Sequence, residues 1–272
     1  ITTVIDVGAN YQLLQQRKDF TDKKYSPTVY ITGPLLTTYK SKVYENLGEN
    51  NPFALTKTIE DGINAVKQQL QYNPDFIKIW YIVGADGLSI EKSARKNLPI
   101  IKAIIDEAHK NNLKIAVHAT QRITAQLAVE NGADFLVHSI DDEILKDDFV
   151  QLMKKKGTIL CPSLTVNSKY LNTFGQNLKM TNYELKTADP FQLGSLLDLK
   201  HLSDSLLVEE YSKYGNSQES ISYLKQAGSI SMKNMKILSD AGVLIATGTD
   251  AGNIGTLHTS SYLAELQAMH KG

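Results

Sequence analysis

The stretch KIAVHATQRITAQLAVENGADFLVHSIDD, residues 114–142, decides the expected fold. It contains two short apolar runs, residues 115–117 and 135–137, and each run leads directly into a histidine, His118 and His138. A segment with helical spacing lies between them and ends at a glycine. This order predicts two parallel strands joined by a helix, so that both strands end at the same edge of the sheet. Two imidazoles at one edge are typical of the beginning of a metal site.

The composition is that of an ordinary globular protein with a sizeable core. Of 272 residues, 42% are hydrophobic and 21% are charged, and the formal net charge is zero. Nothing in this balance suggests nucleic acid or an anionic membrane as a partner, and the partner that we expect is a small-molecule substrate. The only cysteine, Cys161, excludes an internal disulfide and is expected to be a small core residue. We expect one domain over residues 1–272.

Seven β-rich runs recur along the chain, mostly alternating with helical patterns. Their near-continuous Val, Ile and Leu content indicates a parallel sheet buried on both faces. Two α/β architectures fit, an open doubly wound sheet or a (β/α)8 TIM barrel short of one strand. No glycine-rich phosphate loop follows any run, which favours the barrel. The runs are residues 2–7, 28–32, 76–83, 115–117, 135–137, 158–161 and 243–247.

One segment, at about residues 165–226, interrupts this alternation. It is polar and rich in tyrosine, and it is far longer than a usual connection. Because it follows a strand, it should emerge at the face where barrels place their active sites. Helical padding and a lid over the site are both compatible with it.

Four ionisable residues lie at or near the ends of apolar runs, and each has a structural and a functional interpretation. Lys78, inside FIKIW, is either a lysine that reaches solvent from an edge strand or a buried lysine with a partner or a modified amine. His118 and His138 could each be hydrogen-bonded core residues, and Asp250, in LIATGTDAG, could be a turn aspartate. Four such groups on different strands together favour a shared active face.

The ordered set of motifs resembles the metal-dependent amidohydrolase superfamily, in its imidazolonepropionase- and prolidase-like branch. The likeness covers nearly the whole chain except the tyrosine-rich insertion, and it implies that barrel strands 2–8 are present. A lysine in the fourth strand, histidines that end the fifth and sixth, and GTDAG at the end of the eighth carry it. The supporting segments are TTVIDVG (2–8), ITGPLLTT (31–38), DEAHKNNLKIAVHA (106–119) and CPSL (161–164).

This resemblance implies a role for each residue. Lys78 would be carboxylated and bridge two divalent metals, with His118 and His138 on the second metal and Asp250 on the first. A water between the metals would act as hydroxide on an amide bond, as in a dipeptide or a cyclic amide. Asp250 would be the general base and then the general acid. The mixed nitrogen and oxygen ligands suggest zinc. Apart from the resemblance, His258, shortly after Asp250, is either a histidine at a helix start or a side chain that hydrogen-bonds the substrate.

Two parts of the family pattern do not occur in this sequence, namely the His-x-His pair of the first strand and the flanking β-sandwich. We expect them in N- and C-terminal segments of the same protein, so this fragment should hold metal partially or not at all and show little activity. An ester, lactone or phosphotriester hydrolase on the same site is one alternative. A metal-free small-molecule-binding barrel is another. The compartment, bacterial cytoplasm or periplasm, stays open.

Overall fold

The computed structural model describes residues 1–20, 22, 24–40 and 47–272, without the side chain of Lys200. The Cα positions divide the chain into two compact units. The first comprises residues 1–137 and 146–159, and the second comprises residues 138–145 and 160–272. The expectation of a single domain over residues 1–272 stays a prediction.

The first unit is built on parallel strands. β1 pairs with β2, and the remaining strands of this unit follow the order β4-β3-β5-β6-β7. Ile159, the last residue of the unit, begins β8 (Ile159–Cys161), and its N–H donates to the carbonyl oxygen of Asp134 at 2.9 Å. The strands are β1 (Thr3–Asp6), β2 (Thr28–Ile31), β3 (Leu35–Thr37), β4 (Phe53–Leu55), β5 (Phe76–Trp80), β6 (Lys114–His118) and β7 (Phe135–Val137).

Helices connect these strands, and local sequence signals set their ends. The second helix begins with a capping box in which Thr58 and Asp61 satisfy each other's backbone N–H groups. The fifth ends at Gly157, which adopts the left-handed conformation with φ 67°. The helices of this unit are α1 (Tyr11–Gln16), α2 (Ile59–Leu70), α3 (Ile90–Lys110), α4 (Arg122–Glu130) and α5 (Asp147–Lys156).

Both faces of the sheet in the first unit are buried, as the continuous apolar runs predict. One face carries fully buried aliphatic residues, and α3, which contacts β5 and β6, supplies further ones. The opposite face carries an apolar cluster on β5, β6 and β7. Strand alternation separates the two sets. The first set is Ile77, Ile79, Ile115, Val117 and Leu136 with Ile101, Ile104 and Ile105, and the second is Phe76, Ala116 and Val137, with Val7 and Phe135 packed against it.

The second unit is mainly helical. In the long helix Gln218–Asp240 (α10), Asn234 accepts the N–H of Leu145 at 2.9 Å and donates to the carbonyl oxygens of Ile140 and Glu143 at 2.9 and 2.8 Å. This one side chain therefore fixes the loop at residues 140–145. The helices are α6 (Val166–Phe174), α7 (Asn182–Thr187), α8 (Pro190–Leu197), α9 (Ser205–Asn216), α10 (Gln218–Asp240) and α11 (Tyr262–Lys271).

The structure corrects two details of the expected organisation. Residues 243–247, expected as a strand, form only an isolated parallel bridge between Leu160 and Ile245, and Leu244 is 65% exposed. The three-residue strands β3 and β4 are too short to be recognised by periodicity. The insertion at about 165–226 is largely helical. Closure of the strands into a barrel, and with it a missing first strand, stays a prediction. In the part of the chain that the structure describes, no helix has the length and apolar character needed to span a bilayer.

Candidate functional site

Lys78 lies deep in the sheet of the first unit. Its side chain is only 2% exposed, and in the strand register it is opposite Ala116 of β6. The interpretation as a lysine that reaches solvent from an edge strand is therefore wrong. β5 is an internal strand, with β3 on one side and β6 on the other. A cation at this depth requires compensation, because the desolvation of an ammonium costs several kcal/mol.

His118 closes β6 on the same face of the sheet as Lys78. It is paired in register with Trp80, and residues two apart on a strand share a face. The imidazole is half-buried and lies edge-on to the indole of Trp80, with ring centroids 5.9 Å apart. The rings of Phe53 and Tyr39 contact the same indole at 4.5 and 5.5 Å. The carboxyl ends of β5 and β6 thus place Lys78 and His118 on one face, beside an aromatic cluster.

In the second unit, His138 and Asp250 approach each other. Nε2 of His138 is 3.9 Å from Oδ2 of Asp250, and their side chains are 13% and 20% exposed. The N–H of His138 donates to the carbonyl oxygen of Cys161 at 2.8 Å, which anchors this residue directly beyond β7. Cys161 itself is half-buried. Two residues 112 positions apart in sequence are therefore neighbours here, as the shared active face predicts for this pair.

The backbone at both residues has an unusual conformation. φ is 73° at His138 and 52° at Asp250, in the left-handed region that residues other than glycine rarely adopt. Such a conformation costs on the order of 1–3 kcal/mol and is found preferentially at functional sites. Asp250 is also a turn residue, because its carbonyl oxygen accepts the hydroxyl of Thr256 at 2.7 Å and the N–H of Asn253 at 3.1 Å. The turn interpretation and the functional interpretation of Asp250 are thus compatible.

His258 lies eight residues beyond Asp250 and is exposed. Its Nδ1 is 3.3 Å from Oε1 of Gln192 in α8. A Cβ built on Gly252 would lie 3.3 Å from Cε1 of His258, so the imidazole rests against the Asp250 loop. Contact of His258 with a substrate stays a prediction.

Asp141 is a buried carboxylate, 8% exposed, that no local sequence pattern indicated. Its Oδ2 accepts weak hydrogen bonds from Tyr223 and Asn167, both at 3.4 Å. Burial, with a further contribution from the charge of Asp142, raises the pKa of Asp141 to about 6. Burial likewise raises the pKa of Tyr223 to about 12, and Asp141 adds to the effect. The partners are 26 and 82 residues away, beyond the reach of any local pattern.

Glu265 of α11 is another buried carboxylate and organises the turn that follows β8. It is 0% exposed and accepts the N–H groups of Leu164 and Thr165 at 2.8 and 3.0 Å, together with the Thr165 hydroxyl at 2.9 Å. Burial raises the pKa of Glu265, against the opposing effect of these hydrogen bonds. This carboxylate holds the CPSL segment in place.

The imidazole of His138 and the carboxylate of Asp250 are ligand types that bind divalent cations. Metal–ligand bonds to imidazole and carboxylate measure about 2.0–2.2 Å. A separation of 3.9 Å between His138 Nε2 and Asp250 Oδ2 is therefore short enough for both atoms to be ligands in one metal centre. Among the described residues, no group of three or more His, Cys, Asp or Glu side chains is placed to hold a metal ion. Convergence of all four expected ligands stays a prediction, because Lys78 and His118 belong to one unit and His138 and Asp250 to the other.

Comparisons with known proteins support the fold. No protein-family model and no curated protein matches the sequence. Among solved structures, a proposed prolidase from Bifidobacterium longum matches with a TM-score of 0.66 and 18% identity, over 100% of this chain and 57% of that chain. Ochratoxinase from A. niger matches with a TM-score of 0.63 and 19% identity, over 98% and 55%. A Xaa-Pro dipeptidase with methionine bound in its active site matches with a TM-score of 0.63 and 18% identity, over 100% and 59%.

These identities are low, so the likeness concerns the fold. The chain spans a little more than half the length of the proteins that it matches. Its parallel sheet and its alternating helices are those of an α/β protein. The fold is amidohydrolase-like.

Proposed function

We propose that this chain carries the metal-binding residues of a metal-dependent hydrolase that cleaves amide bonds. The observation that carries the proposal is the pair His138 and Asp250. A nitrogen and an oxygen donor lie 3.9 Å apart, and both residues have left-handed backbone. An imidazole beside a carboxylate suits a divalent ion such as zinc. The amidohydrolase-like fold supports the same function.

Lys78 adds a second line of support. An ammonium is costly where the residue is only 2% exposed. Reaction of the neutral Lys78 amine with carbon dioxide would form a carbamate, with release of one proton. The product is an anion, which a divalent cation can neutralise. We therefore assign Lys78, His118, His138 and Asp250 as the residues that would hold metal.

The proposed chemistry of the protein residues centres on Asp250. Bound divalent cations supply positive charge that polarises a substrate carbonyl and makes a water molecule more acidic. Asp250 would accept the proton of the attacking water on a carboxylate oxygen and then deliver it to the leaving nitrogen. His138, held by its backbone bond to Cys161, would stay in place beside this carboxylate. The substrate would be a small amide, in keeping with the prolidase and dipeptidase named among the structural neighbours.

The test measures metal binding and carboxylation directly. Purified chain is titrated with zinc, and its carbamate is observed by carbon NMR after equilibration with labelled bicarbonate. Because the His-x-His pair does not occur in this sequence, we expect weak, partial zinc binding and one carbamate resonance in the wild type. Lys78→Met should lose the resonance and bind zinc more weakly still. Lys110→Met, which removes an exposed lysine of α3, is the matched control and should behave as wild type. Zinc absent from wild type and Lys78→Met alike would contradict the proposal and favour a metal-free binding barrel.

A further inference from the structure

We propose that Asn253 and Tyr170 are positioning residues that fix the carboxylate of Asp250. The inference rests on the proposed role of Asp250 and deepens it, because it assigns residues that set where this carboxylate lies. Asn253 is in the turn after Asp250, whereas Tyr170 belongs to α6 in the insertion. All three residues are in the second unit.

The side-chain amide of Asn253 connects the two other residues. Its Nδ2 donates to Oδ2 of Asp250 at 2.7 Å, and its Oδ1 accepts the N–H of Ile254 at 2.9 Å. The same Oδ1 also accepts the phenol hydroxyl of Tyr170. Two donors at Oδ1 and one acceptor at Nδ2 leave a single consistent orientation of the amide. The oxygen that the amide holds is the one that lies 3.9 Å from His138 Nε2.

Tyr170 is itself held by aromatic packing. Its ring meets Phe174 edge-on at a centroid distance of 5.7 Å, and Phe174 packs against Tyr211 of α9 at 4.7 Å. Contacts of this kind favour defined ring orientations. The hydroxyl of Tyr170 is therefore presented from a fixed ring.

The backbone of α6 also lies directly against the turn. A Cβ added to Gly255 would be 2.6 Å from Oγ1 of Thr173 and 2.7 Å from the carbonyl oxygen of Lys169. Only glycine permits this approach, and its φ of 83° suits glycine as well. The first helix of the insertion thus acts on Asp250 both through packing and through Tyr170 and Asn253. This gives the insertion a role that neither padding nor a lid provides.

The test uses cobalt(II) as a spectroscopic probe of the full chain. Residues that orient a metal ligand typically change affinity 10- to 100-fold when removed. We expect Asn253→Ala to weaken cobalt binding about tenfold. Tyr170→Phe should weaken it only a few-fold, because Tyr170 reaches Asp250 through one additional hydrogen bond, the one to Asn253. Tyr211→Phe removes a hydroxyl from the same aromatic row and should stay within about twofold of wild type. Urea unfolding measured in parallel separates a loss of affinity from a loss of folding.

The possible outcomes separate this inference from the proposed function. Wild-type affinity in both Tyr170→Phe and Asn253→Ala would overturn the inference, as would a loss that unfolding accounts for. If wild type binds no cobalt, the proposed metal function fails, and proton–nitrogen NMR then decides the inference. The side-chain amide resonance of Asn253 should move in Tyr170→Phe and in Asp250→Ala but not in Tyr211→Phe. An unchanged resonance in the first two would overturn the positioning role.

Discussion

Replacement of Asp141 by asparagine should make the protein more stable at neutral pH. Asp141 is 8% exposed, and burial raises its pKa from 3.8 to about 6. The charge of Asp142 acts in the same direction, whereas hydrogen bonds from Tyr223 and Asn167 act against it. Asparagine keeps a carbonyl oxygen that accepts both hydrogen bonds, and it removes the ionisation.

The size and the sign of the effect follow from linkage. A change from 3.8 to about 6 is ~2 pKa units, and at 1.36 kcal/mol per unit it corresponds to about 3 kcal/mol. Below about pH 4 Asp141 is protonated in both states, so its ionisation does not lower the free energy of unfolding. The folded state binds this proton more tightly than the unfolded state, so the free energy of unfolding falls as the pH rises from about 4 to about 6. Above about pH 6 it stays lower by the full amount, because the folded protein then contains a buried ionised carboxylate.

Urea unfolding of wild type and Asp141→Asn at several pH values between 4 and 8 measures this difference. The free energies of unfolding should agree near pH 4, and the variant should be more stable by up to about 3 kcal/mol at pH 7.5. Asp142→Asn is the comparison variant, because Asp142 is exposed and its charge is the smaller of the two causes that raise the pKa of Asp141, so most of the pH dependence should remain. A stability difference that does not vary between pH 4 and pH 7.5 would refute the reasoning.

Three further predictions, the first with a matched control substitution, test the structure around the candidate site. Gly255→Ala should lower the free energy of unfolding by about 2 kcal/mol or more, because φ is positive there and the added Cβ would clash with Thr173. Its control, Gly194→Ala, adds a Cβ in open space within α8 and should raise the free energy of unfolding by up to about 1 kcal/mol. Thermal unfolding measures both. Glu265→Gln should cost about 1–3 kcal/mol in urea unfolding, because its new amide group faces N–H donors; an unchanged midpoint would contradict this. Asp250→Asn keeps an acceptor for the hydrogen bond to this side chain, so stability should change by less than about 0.5 kcal/mol while zinc affinity falls in calorimetric titration.

The segment from residue 114 to residue 142 was predictable because its local signals agree with the tertiary structure. Both apolar runs are strands, and the helical spacing between them is α4. The burial of Lys78 was one of two predicted possibilities, and the choice between them depended on strand order, since an internal strand does not let a lysine reach solvent. Pairing order is a property of the whole sheet, and no single segment contains it.

The residues around Asp250 and Asp141 were not predictable for a related reason. Tyr170 and Asn253 are 83 residues apart, and Tyr223 and Asp141 are 82 apart. A helix face or a strand alternation has a period of two to four residues, so patterns of this kind carry no information about such pairs. The tyrosines of the insertion stood out in the sequence, but only the folded chain shows which of them contacts an acidic loop.

The left-handed backbone conformation of His138 and Asp250 raises the question of why these positions carry side chains at all. A fold that needs positive φ can use glycine without strain, as this chain does at Gly157 and at Gly255. At His138 and Asp250 it retains a side chain at a cost on the order of 1–3 kcal/mol each. Positive φ also occurs at other non-glycine residues, among them Ser163, Gln176 and Thr259, so the conformation by itself does not mark a site and a functional reason has to come from the two side chains. A site that needs an imidazole and a carboxylate 3.9 Å apart gives one, so we expect the strain to be kept for binding.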